Sequence, residues 1–287
     1  MIELMPKAWR SWTVIIAGSS LLGVVACQPG GEAGEAGQSS GKAAADQAGE
    51  AGEAATAATT TPASGAGEAG ESGAEHGEAG MEEAYAGLVG NERAAVRIQH
   101  LKGFFLVAER LSTQPDLTHA GVLMGQGLLE VYDTAPGQFA EMNPTLAREA
   151  ATGGIEGAPA AEVRRTLNAA IAAMDAEQVR LQVPGSLIAR RLVDVSTALY
   201  GHVITPEGPD PVEYQHSLGA ALAARDALLK DATRLRAENP KTFSDAEREL
   251  NALIALWPQD SAPETPTPMR TILAQASRVQ LALSGFR

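Results

Sequence analysis

Asn91-Glu92-Arg93-Ala94-Ala95-Val96-Arg97-Ile98-Gln99-His100-Leu101-Lys102-Gly103-Phe104-Phe105-Leu106-Val107-Ala108-Glu109-Arg110-Leu111 is the stretch that decides the fold. Ile98, Leu101, Phe105 and Ala108 recur at helical spacing, with Phe104, Val107 and Leu111 beside them. That makes a stripe wide enough for a core-facing helix. From Met81 onward large apolar residues keep returning at this period, and no run of alternating β-branched residues bounded by turns interrupts them. The expected class is all-α, an antiparallel helical bundle over residues 81–287.

Working outward, Pro115 should end this helix, and a second should run from Leu117 to Tyr132 with Val122, Leu123, Leu129 and Tyr132 as its apolar face, before Pro136 breaks it. Asn143-Pro144 reads as an N-cap with proline in the first turn of a short helix through Ala150, followed by a loop at Gly153, Gly154 and Gly157. Pro159 to Met174 and Pro184 to Tyr200 are further helices. After a Pro- and Gly-rich connection, Asp210-Pro211-Val212-Glu213 supplies an acidic cap, proline at the first position and a glutamate able to reach back. That helix should run to about Ala237, where Asn239-Pro240 stops it. Ser244-Asp245-Ala246-Glu247 repeats the capping-box pattern for a helix ending at Trp257-Pro258, and Thr267-Pro268 opens the last, with Ile272, Ala276, Val279 and Leu283. The total is about seven to eight helices, in one bundle or in two sub-bundles divided near Gly153 or Gln182.

Residues 28–80 differ sharply: they contain no Val, Ile, Leu, Met, Phe, Tyr or Trp, and Gly-Glu-Ala-Gly recurs at Gly31, Gly67 and Gly77. Nothing there offsets an ordering entropy of roughly 1–2 kcal/mol per residue, so a disordered tether is expected. As a flexible coil its 53 residues would span on the order of 40 Å. The chain carries a net charge of −13, and this segment holds nine acids against the single base Lys42. Much of the acidity is therefore in the tether, where it keeps the segment solvated, and no basic footprint for nucleic acid exists.

Ahead of the tether, Lys7 and Arg10 precede an apolar run from Trp12 to Val25, broken by Gly18, Ser19 and Ser20 and closed by Val24-Val25-Ala26-Cys27. A membrane helix wants about 20 apolar residues, so the run suits a cleaved signal better than a span. The tetrad resembles the lipobox of bacterial lipoproteins, with Glu3 an unusual acid in such a leader. An ordinary secretory signal or a single anchor with an incidental cysteine is the alternative. The resemblance implies a signal peptide over 1–26, lipidation at Cys27 (diacylglyceryl attachment and a palmitate-bearing, triacylated N-terminus), a tether over 27–80 and a location in the cell envelope. Gln28 in place of Asp implies the periplasmic face of the outer membrane. Cys27 is the only cysteine, so the bundle must stand on packing without a disulfide.

No nucleophile elbow, phosphate loop, dinucleotide fingerprint, His-Glu-x-x-His or cysteine pair occurs, so the sequence suggests no enzyme. His76 belongs to the tether; His100, His119, His202 and His216 belong to the helical part. Glu213 and His216 show the Glu-x-x-His spacing that ferritin-like bundles use twice to hold two metals, and here it occurs once. A helix-surface or capping role fits the same spacing. His119 and Glu130 share a face at i, i+11 but stand about 16 Å apart along one helix, too far to share an ion. His202 suits a helix C-terminus, where an imidazolium meets free carbonyls.

Gly103 to Leu111, then Thr118-His119 and Glu130-Val131-Tyr132, resemble the first half of the imelysin-like periplasmic proteins associated with iron-uptake loci. Tyr200-Gly201-His202-Val203-Ile204 and Glu213-Tyr214-Gln215-His216-Ser217-Leu218-Gly219 resemble the second half, and a related helix pair occurs in periplasmic regions of iron permeases. Phe104 and Val122 stand where that pattern has histidines, Glu130 arrives four residues late, and His216 replaces an aspartate. The resemblance implies a helical fold and a link to metal or iron uptake, with His119 as a retained ligand. His119, His216 and Glu213 are thus the candidate ligands of a metal ion, the one cofactor suggested. The expected function is a lipid-anchored binding or accessory module; the alternative is a structural or assembly lipoprotein acting through an envelope protein partner.

Overall fold

The computed structural model describes residues 84–113, 118–139 and 159–286. Residues 1–80, where a signal peptide, Cys27 and a tether are expected, the Pro115 stop and the short helix expected after Asn143-Pro144 lie outside the described residues. What is described is all-α, with eight α-helices and a two-residue β-hairpin. In chain order they are α1 (Gly90–Leu111), α2 (Thr118–Gly127), α3 (Ala160–Leu181), α4 (Gly185–Tyr200), β1 (Ile204–Thr205), β2 (Gly208–Pro209), α5 (Pro211–Lys230), α6 (Ala232–Glu238), α7 (Pro240–Ile254) and α8 (Met269–Leu283). The described residues belong to one compact unit, with a main apolar core from Tyr85 to Phe286 and a small satellite of Ala84, Val195, Leu199 and Ala220, so there is no division into sub-bundles at Gln182. Among the described residues no helix is long and apolar enough to cross a membrane.

Helix α1 is the axis of the bundle. It was expected to bury one stripe, but Ala94 to Phe105 is buried all round, polar residues included. A helix wrapped on every side belongs at the centre; α2, α3 and α5 all pack on it, while α4 packs on α5 and α8 on α7 and α4. The α1/α5 crossing is close because Gly103 meets Gly219: a Cβ on Gly103 would stand 2.7 Å from the Gly219 carbonyl carbon and oxygen.

Several elements differ from expectation for identifiable reasons. The second helix changes geometry before its end: residues Leu128–Tyr132 form a π turn, closed by Asp133 N–H donating to the Leu128 carbonyl at 2.8 Å. Its buried face is Ala120, Leu123, Met124, Leu128 and Val131, whereas Val122 and Leu129 are 53% and 67% exposed. Alanine in that stripe made the true face hard to see. Helix α3 continues past Met174 to Leu181 and ends on Gln182, a non-glycine residue at φ 55°. The connection after Tyr200 contains the antiparallel β1/β2 pair.

The Asp210 cap forms as expected, its carboxylate accepting from the Val212 and Glu213 N–H groups at 2.8 and 3.1 Å. The reciprocal half fails, because Asp210 N–H donates to the Val203 carbonyl across the hairpin base. The long helix stops at Lys230 rather than Ala237, since the Asp231 carboxylate turns to accept from Gly185 N–H at 2.9 Å and so caps α4. Asn239-Pro240 stops α6 and also starts α7: the Asn239 side chain accepts from Thr242 N–H at 3.0 Å. Ser244 to Glu247 therefore lies inside α7 rather than at its start, with Asp245 pairing with Lys241 and Arg248 on the outer face.

Candidate functional site

Two polar clusters flank the Gly103/Gly219 crossing. On one side the fully buried Lys102 ammonium is paired with Asp175 of α3 and Asp226 of α5, and Lys230 holds Asp175 at 2.7 Å. Gln99 donates to the Met174 carbonyl at 3.2 Å and Gln178 to the Ala227 carbonyl at 3.3 Å nearby. This cluster joins three helices, and every charge in it has an opposite charge beside it.

On the other side lie His100, Phe104 and His216. Phe104 stacks between the imidazoles, with ring centroids 5.5 Å from His100 and 4.4 Å from His216. It fits there because Gly127 leaves room: a Cβ on that glycine would stand 2.7 Å from the ring. His100 Nδ1 is hydrogen-bonded to the Tyr85 hydroxyl at 2.6 Å. His216 Nδ1 faces Glu130 Oε2 on the π turn at 3.6 Å. The Nε2 atoms of both histidines, and Glu213 Oε2, are buried without a hydrogen-bond partner. Each such group costs about 1–3 kcal/mol relative to a satisfied one.

Burial holds both imidazoles neutral, at about 3, helped at His100 by the Arg97 charge and at His216 by His100. The His216 to Glu130 approach is therefore not an ion pair at neutral pH but a neutral ring nitrogen facing a carboxylate. Glu213 is pushed up to about 7, first by burial and then by Asp210. With its backbone partner taken by Val203, nothing offsets that burial.

Of the expected ligands, Glu213 and His216 are one turn apart on α5, neither on its outer surface: His216 is 2% exposed and Glu213 half-buried. His119 is exposed at the start of α2, far along the helix from Glu130 as expected. His202 is half-buried just past α4, its N–H donating to the Leu199 carbonyl. Among the described residues no group of three or more His, Cys, Asp or Glu side chains is placed to hold a metal ion, so the structure does not bring His119, His216 and Glu213 together. Sequence reasoning missed His100, Phe104 and Glu130 as partners of His216. The only local signal was a histidine four residues ahead of Phe104 within an otherwise apolar stripe. No protein-family model matches the chain, and neither a curated protein nor a solved structure matches it.

Proposed function

We propose that the chain is a lipid-anchored protein of the cell envelope, on the periplasmic face of the outer membrane, whose helical bundle is a binding or accessory module linked to metal or iron uptake. The observation that carries the binding half is the cluster around Phe104. A bundle built only to stand would place apolar side chains at positions 100, 213 and 216, whereas three buried polar atoms remain unpaired there. Departures of this kind from local consistency concentrate at functional sites. The anchoring half rests on Val24-Val25-Ala26-Cys27 followed by a segment without large apolar residues. Acylation contributes about 0.8 kcal/mol per buried methylene, and more than one chain is needed for a stable hold. No enzymatic step is part of this reading.

Growth with an alkyne fatty acid tests the anchor. Label should appear on the wild-type chain and vanish in Cys27→Ser; equal label on both, or none on either, rejects it. A structural or assembly role is the second reading, favoured by Val122 and Leu129, two exposed apolar residues seven apart on the outer side of α2 and the π turn. Under that reading Leu129→Lys abolishes a crosslink to an envelope protein that the wild type forms.

A further inference from the structure

The spacing of His216 and Glu130 carries a more specific statement. At 3.6 Å, Nδ1 and Oε2 are beyond the roughly 2.7–3.2 Å of a hydrogen bond. Two donors that each sit about 2.0–2.2 Å from one tetrahedral ion stand about 3.3–3.6 Å apart. We propose that His216 Nδ1 and Glu130 Oε2 are the two protein ligands of a divalent transition-metal site between α5 and the π turn. The proposal rests on the reading of this bundle as a metal-linked binding module and gives that reading a place and a ligand class.

Three features of the fold, and the chemistry of the donor pair, support it. Glu130 is presented by a π turn, a distortion that appears frequently at functional sites and re-aims the side chains of one turn. The Phe104 ring, 4.4 Å from His216 and tilted 53° to it, fixes the imidazole plane as an outer wall does in built metal centres. Glu130 remains 37% exposed, so an ion reaches the pair from solvent without opening the core. An imidazole with a carboxylate suits zinc-like ions; magnesium and calcium take oxygen alone, and copper(I) prefers sulfur.

With the ion on Nδ1, the ring proton sits on Nε2, the inward nitrogen. Only two protein ligands exist among the described residues, so water completes the shell. Such a site exchanges its ion readily, as a carrier or accessory module requires and a structural staple does not.

The full chain, purified in detergent and stripped with chelator, is titrated with zinc alone by calorimetry, and its copper(II) form is examined by electron paramagnetic resonance. One saturable site with coupling to a single imidazole nitrogen is expected. Glu130→Gln, at a half-exposed position that leaves the fold intact by circular dichroism, should weaken zinc at least about tenfold, and His216→Phe should remove the nitrogen coupling. His119→Ala, exposed at the start of α2, should bind as the parent does. Zinc binding unchanged in Glu130→Gln, coupling retained in His216→Phe, or no saturable site overturns the proposal. Those failures leave the fatty-acid label on Cys27 untouched, so they are distinguishable from failure of the anchored-module reading.

Discussion

The two polar clusters beside the Gly103/Gly219 crossing contain similar ingredients and opposite arrangements. Around Lys102, one buried cation meets two carboxylates; Asp175 also holds Lys230, and Asp226 faces partial solvent. Around Phe104, two imidazoles and Glu213 keep buried atoms without partners. The first arrangement is how a bundle cross-links helices: charges are brought in only where opposite charges compensate their desolvation. The second leaves both imidazole Nε2 atoms and Glu213 Oε2 uncompensated, and its His216 faces Glu130 on the π turn. Gln99 Oε1 and Gln178 Oε1 beside Lys102 are also buried without partners, so what separates the clusters is the ionisable groups: paired around Lys102, unpaired at His100 Nε2, His216 Nε2 and Glu213 Oε2.

Breaking the first cluster should produce the largest effect. Lys102→Met leaves Asp175 and Asp226 facing apolar core without their shared cation, and loss of one partner from a buried pair costs about 3–5 kcal/mol. Urea unfolding should show a midpoint lowered accordingly with unchanged slope. A loss below about 1 kcal/mol would mean that the aspartates, 15% and 29% exposed, are already solvated and that the cluster is no cross-link.

Between the clusters, Gly219→Ala places a methyl group 2.7 Å from the Gly103 carbonyl oxygen. Backbone cannot yield as a flexible side chain does, so α1 and α5 must separate, at a cost of about 1–3 kcal/mol. The same shift moves His216 relative to Glu130. Unfolding midpoint and zinc affinity should therefore fall together, and a change in only one would show that the crossing does not position the histidine.

What could be read without coordinates follows from range. Caps are local, so Asp210-Pro211 and Thr267-Pro268 located α5 and α8 well, and Ile272, Ala276, Val279 and Leu283 are all buried as their spacing required. Asn239-Pro240 misled because one dipeptide can end a helix and begin the next. The clusters were not legible. Lys102 pairs with residues 73 and 124 positions away, and His216 meets Glu130 across a helix packing that no local periodicity encodes. That α1 is buried all round was also hidden, because Arg97, Gln99, His100 and Lys102 read as a solvated face until their partners are known.

The second cluster should respond with the opposite sign. His216→Leu replaces an unpaired buried nitrogen with apolar atoms of similar volume, and such exchanges are neutral or stabilising. In metal-free buffer the variant should match or exceed the wild type by up to about 1.5 kcal/mol, while losing zinc. A loss comparable to that of Lys102→Met would erase the contrast, showing that His216 holds the core together as the ammonium does.

The smallest effect is a dependence on pH carried by Glu213. Its carboxyl keeps a proton in the fold up to about 7 but releases it near 4.5 when unfolded. The native state therefore binds more protons across that window, and stability falls as pH rises through it. The buried imidazoles act in reverse: they take a proton near 6.5 unfolded and only at about 3 folded, so stability falls on acidification between those values. Where the windows overlap, two imidazoles outweigh one carboxyl, and the wild type should weaken below pH 6.5. Glu213→Gln removes only the carboxyl, so the variant should equal the wild type at pH 4 and exceed it by on the order of 1 kcal/mol at pH 8, a figure reduced for the partial exposure of this side chain. Urea midpoints of both proteins at pH 4, 6 and 8, in the presence of chelator, measure the difference. A difference constant across that range would mean that Glu213 is ionised in the fold and has a partner, which would remove it from the set of unsatisfied groups and leave the two histidines as the only basis for separating this cluster from the one around Lys102.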